Sequence, residues 1–320
     1  FMKCYVLKKK LINKIIFMKH NYDSVDMFSK TCSTNSSKQG ETSYTVKERT
    51  WLSFIPVFLM LFSFVFVQGQ SVTNYVFSTT TTGSLALDAN GNTVDMSIGT
   101  TQLVASGVDT SVSTVQAIGF DFIGMGTLQT NFSANSNGAM GLGNVAIGTS
   151  GTTNAGTATT MFIAPFGGDH ATHATGKVHY KVVGSAPNRA LVVEWLNMEM
   201  DWASSTSNGT YQVRIYETSG VIEFVYGAMS VADTFFTGPI IGFSAGTTAG
   251  KIASVTSSTN AVTTNGTAFI NNTYVVGAIA NLDSAADGSR RTYVFTPSPS
   301  ISAPINLTFS GVTSSGSTVN

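Results

Sequence analysis

The chain has 320 residues, enough for one large or two ordinary domains. Charged residues are only 11% of it, yet 21 Phe and 10 Tyr make it too apolar to remain unfolded. Its net charge of +0 divides into ten Lys/Arg against four Asp/Glu in residues 1–50 and seven against thirteen in residues 51–320. A mildly acidic body excludes the basic footprint of a nucleic-acid-binding protein.

Residues 1–45 are rich in Lys and Asn, lack a sustained apolar period and hold both cysteines, Cys4 and Cys32. They read as a non-native or disordered upstream segment, with the true start at Val46. Residues 46–69 then form a signal peptide. "VKER" leads into "WLSFIPVFLMLFSFVFV", Trp51 to Val67, which carries no charge, and Val67 and Gly69 supply the small residues of a cleavage site. A membrane anchor is the alternative. The run sits at the lower limit for a span, about 17 residues, and no basic stop-transfer cluster follows it. The mature chain has no Cys, so no disulfide staples it.

From residue 70 to 296 the dominant signal is period-2 alternation, and helical periodicity is nearly absent. Ile118, Phe120 and Phe122 share one face, as do Leu128, Thr130 and Phe132. Leu191, Val193 and Trp195 oppose Val192 and Glu194. Tyr211, Val213 and Ile215 alternate with Gln212, Arg214 and Tyr216, and Ile222, Phe224 and Tyr226 with Val221, Glu223 and Val225. Ser219-Gly220 between the last two runs predicts a hairpin. Asn-Gly pairs at 90–91, 137–138, 208–209 and 265–266 suit tight turns with positive φ. A dozen or so short, uneven strands predict an all-β fold, an antiparallel sandwich of jelly-roll type. An outer-membrane barrel would need regular strands of about ten residues.

Four polar clusters bear on chemistry. "DANGNTVD" offers Asp88, Asn90, Asn92 and Asp95 as oxygen donors for Ca²⁺, but Thr93 occupies the position where a calcium loop needs Gly, so a hairpin turn is expected. Asp169, His170 and His173 fall in "GGDHATHATG", read as an exposed loop, and His179 in "KVHYK", read as a solvated strand position with Val178 and Tyr180 inward. The three histidines lack zinc spacing, and Lys177 and Lys181 flank His179, so no metal is expected there. "APNR" reads as a turn with Arg189 paired near Glu194. Glu199 and Asp201 share a strand face and resemble the paired carboxylates of laminarinase-type jelly-roll glycosidases, but the third carboxylate of that pattern is missing. Trp202 beside them suits an exposed platform for a sugar ring.

Pro297, Pro299 and Pro304 mark a Pro/Ser linker over residues 297–303. Residues 304–320 resemble the start of a fibronectin type III domain through Pro304, Leu307, Val312 and Thr318-Val319, so a longer multidomain protein is expected. "FIAPF" (162–166), "GKVHYKVVGSAPNRALVVEW" (176–195) and "YQVRIYETSGVIEFVYG" (211–227) together resemble nidogen-like extracellular modules. That resemblance implies adhesion or contact with matrix and glycans, and no shared catalytic centre. Such modules carry "APFWDD" where this chain has "APFGGD", which keeps only Asp169 of the acidic pair.

The expected protein is therefore a secreted or cell-surface bacterial one, touching membrane only through its signal segment. Residues 70–296 would be a non-catalytic binding or adhesion module for an extracellular glycan or protein. A carbohydrate-active protein, lectin-like or with a catalytic domain further on, is the alternative. The candidate ligand residues are Trp202, Asp169, His170 and His173. No cofactor is expected, and Ca²⁺ is the one cation the sequence raises.

Overall fold

The computed structural model describes residues 71–153, 155–203, 209–232, 238–279, 281–283 and 290–298. The expected upstream segment, the signal peptide, the linker beyond Ser298 and the fibronectin-like start lie outside the described residues.

A short 3-10 turn, Val72–Asn74, leads into the strands. In chain order they are β1 (Tyr75–Gly83), β2 (Thr101–Val104), β3 (Gln116–Gly124), β4 (Thr127–Ala134), β5 (Met140–Leu142), β6 (Met161–Gly167), β7 (Ala171–Val183) and β8 (Ala190–Glu199). They continue as β9 (Gly209–Tyr216), β10 (Ile222–Val231), β11 (Ile240–Ser244), β12 (Ile252–Thr256), β13 (Ala261–Thr263), β14 (Gly277–Ala278) and β15 (Arg290–Pro297). Two antiparallel sheets result. The first runs β1-β15-β10-β9-β8-β7-β2, with β14 on β10, and the second runs β13-β12-β11-β6-β5-β4-β3.

The alternation read from the sequence sets the inner faces. Trp195, Tyr211, Val213, Phe224 and Phe295 of the first sheet pack against Phe122, Phe132, Phe166 and Phe243 of the second in one buried cluster. Rings meet across the gap: Phe243 lies 5.0 Å from Phe295, and Phe132 lies 4.9 Å from Tyr180. These edge-to-face contacts suit the ring quadrupoles. Trp195 also donates from Nε1 to Asn135 O at 2.8 Å, so a polar bond joins the two layers. One departure is Leu128, which is exposed, while its neighbour Gln129 is buried and donates to Thr159 O.

Turn chemistry decides the connections. Gly220 takes φ 65 between β9 and β10, and Tyr216 N–H donates to Val221 O, as the Ser-Gly signal predicts. Gly91 and Gly138 also adopt positive φ after their asparagines. The other two pairs do not follow. Gly209 opens β9, and Gly266 is outside the left-handed region.

The outer face of the first sheet is covered over β7, β8 and β9, which alternation alone did not predict. Residues 84–100 form a strap across β7, β8 and β9. Val94 and Met96 of the strap pack on Val183, Ala190, Val192 and Tyr216 as a second, smaller apolar cluster. "DANGNTVD" is the turn of this strap. Asp88 Oδ1 accepts the backbone N–H groups of Asn90 and Asn92, and Leu87 bridges Thr93. The Asp88 carboxylate therefore holds its own loop.

Candidate ligand-binding rim

The candidate residues gather where β7 starts and β8 ends. Ala171 opens β7 and pairs with Glu199 on one side and Asp109 on the other. Opposed residues of antiparallel neighbours point to the same side, so Asp109 and Glu199 flank Ala171 on one face. Just beyond, Trp202 N–H donates to Asp169 O at 3.0 Å. That bond holds Asp169 alongside the turn that carries Asp201 and Trp202.

Four carboxylates thus share one end of the sandwich, and among the described residues no ion pair reaches any of them. Their repulsion is visible at Asp169. Partial burial raises its pKa, and the negative charges of Asp109 and Asp201 raise it further. Burial also raises Glu199, while nearby His173 opposes that rise. Asp201 is 7% exposed; its Oδ1 accepts the Ala203 N–H, and its buried Oδ2 has no hydrogen-bond partner. Trp202 lies 55% exposed beside it. Among the described residues, no group of three His, Cys, Asp or Glu side chains forms a ready metal centre.

The histidines separate. The expectation of an exposed loop at 167–176 is corrected: residues 171–176 belong to β7, and His170 is fully buried. Its Nδ1 lies 2.9 Å from Met200 O and its Nε2 lies 3.1 Å from Phe166 O, while its backbone N–H donates to Asn137 Oδ1. Burial lowers its pKa to about 4, against the two carbonyls that favour a charged ring. A neutral ring therefore sits inside the rim, not on it. The glycine pair of "APFGGD" follows from the same packing. A Cβ on Gly168 would come within 2.5 Å of the His170 ring, and one on Gly167 would clash with Gly151 O. His173 stays half-buried near the surface, with Nδ1 accepting the Thr175 N–H.

His179 corrects a second expectation. It is buried, not solvated, and opens a polar chain under the strap. Thr100 Oγ1 lies 3.0 Å from its Nδ1, and Nε2 donates to Glu194 Oε1 at 2.8 Å. Gln212 Nε2 then donates to Glu194 Oε2, and Arg214 donates to Gln212 Oε1 and towards Glu223. Arg214 also donates to Leu87 O and Ser84 O, and Lys181 Nζ to Asp95 O and Ile98 O, so the chain ties down the strap. Arg189 pairs with Glu217, not Glu194. The signal for this network was the alternation of Val94 and Met96 between β1 and β2, which marks a covering segment. A further groove of about 340 Å³, lined by Leu142, Val145, Ile147, Thr157 and Met161, lies on the second sheet away from the rim.

Two antiparallel sheets packed face to face define an all-β sandwich module. A model for the family described as NIDO related matches residues 62–297, and the chain belongs to that family. No curated protein and no solved structure matches it. Among the described residues, no helix is long and apolar enough to cross a membrane.

Proposed function

We propose that this domain is a non-catalytic binding or adhesion module of a secreted or cell-surface protein, and that it takes an extracellular glycan at the Asp169–Trp202 rim. The supporting observation is Trp202, the one aromatic side chain left exposed among the described residues. Its backbone bond to Asp169 fixes the turn that presents it. An indole face packs on the apolar face of a sugar ring, and neighbouring carboxylates accept its hydroxyl protons. The non-catalytic reading is supported by Asp201, whose carboxylate is buried and not presented to a substrate beside Glu199.

A glycan array probed with the secreted chain tests this. Trp202→Ala should weaken retained glycans about tenfold, the worth of one good aromatic contact. Unchanged binding by that variant, or retention of matrix proteins with no glycan, would reject the glycan reading. Turnover of a polysaccharide, lost in Glu199→Gln, would reject the non-catalytic one.

A further inference from the structure

We propose that the rim binds a calcium ion, held by the carboxylates of Asp169 and Asp201. The inference concerns the same end of the sandwich but does not depend on the glycan reading.

It starts from Asp201. This side chain is more than nine-tenths buried, and Oδ2 has neither a hydrogen-bond partner nor contact with solvent. A buried carboxylate oxygen without a partner is costly, so native proteins pair it with a donor, a water or a cation. Oδ1 is already used by the Ala203 N–H, which fixes the carboxylate's orientation. The surroundings add negative charge instead of relieving it. Asp169 is held alongside by the Trp202 N–H, and Asp109 and Glu199 flank Ala171 one step further in. Three independent segments, 105–113, 167–171 and 199–203, therefore deliver carboxylates to one place without a lysine or arginine among them.

The donor set selects the cation. His170 has turned into the core and His173 is engaged by Thr175, so nitrogen ligands for zinc do not converge. What remains is oxygen. With no group of three such side chains preassembled among the described residues, the ion must be one that tolerates two carboxylates completed by backbone oxygens and water. Calcium does so, with flexible coordination and affinities of about 0.1–1 mM in extracellular modules.

Calcium binding to the EDTA-treated secreted chain, measured by titration calorimetry and thermal unfolding with no glycan present, tests the proposal. One saturable site with a Kd of about 0.1–1 mM is expected, with a matching rise in Tm. Asp169→Asn and Asp201→Asn should each weaken calcium at least about tenfold, as expected for loss of a charged ligand. In EDTA, Asp201→Asn should be no less stable than the parent, because it removes an unpaired buried charge. Should that variant fail to fold, Asp169→Asn, which alters an exposed side chain, still decides the matter. Trp202→Ala should bind calcium as the parent does, so a failure of the glycan reading leaves this result standing. No saturable site up to about 10 mM calcium, far above that range, would overturn the proposal. So would unchanged binding in the two variants, or loss of binding in Asp95→Asn, which would move the ion to the 88–95 turn.

Discussion

At the residue scale, His170 shows how burial turns a candidate ligand into a structural part. Its ring lies between two carbonyls in a site closed to solvent, and its pKa falls to about 4 from an ordinary 6.5. The folded chain therefore keeps His170 neutral where the unfolded chain binds a proton. Stability from this group is complete above pH 6.5, falls as pH drops towards 4, and levels off below that. The shift corresponds to about 3 kcal/mol. Urea denaturation at pH 7 and pH 4 should show that loss, and His170→Gln should flatten it. Gly168→Ala should destabilise strongly for the same reason, since its Cβ needs the space of the ring.

At the element scale, the strap 84–100 is the least conventional part of the fold. It carries little regular pairing, yet it buries a polar chain from Thr100 to Glu223 across four strands of the first sheet. Arg214 is the hub, with five hydrogen bonds to Gln212, Glu223, Leu87 and Ser84. Arg214→Ala should cost about 3–5 kcal/mol, because Glu223 stays buried without its cation. Arg214→Ala combined with Glu223→Ala should cost less than the sum of the two single changes. Denaturant midpoints of the four proteins check this. A disrupted strap would also expose residues 84–98 to protease before the sandwich itself unfolds, which limited digestion would reveal.

At the scale of the whole molecule, two sheets meet through an aromatic core, and the bond from Trp195 to Asn135 O crosses between them. Trp195→Phe keeps most of the apolar contact but leaves a buried carbonyl unpaired, so a cost of about 1–3 kcal/mol is expected from thermal unfolding. Loops and strand ends converge at the rims of the sandwich, where binding residues are commonly carried. The end that joins Asp109, Asp169, Glu199, Asp201 and Trp202 has both uncompensated charge and an exposed ring. Trp202→Ala separates the two ligands at that end, because it should weaken glycan binding and leave calcium binding unchanged.

The fold class was legible in the sequence, because a strand's side chains alternate with period two and the turn residues that connect strands act within a few positions. Ile118, Phe120 and Phe122 face the core, and Ser219-Gly220 turns a hairpin, for local reasons of that kind. The site was legible only as a set of unconnected residues. Alternation says which side chains share a face but not what lies over it, so His179 read as a solvated strand position, and nothing marked Arg214 as buried, until a strap from far earlier in the chain covered both. Asp109 carries no sequence signal linking it to Asp169 and Asp201. Only the pairing of three distant segments around Ala171 brings their like charges together, because strand pairing, unlike alternation, is decided by long-range packing.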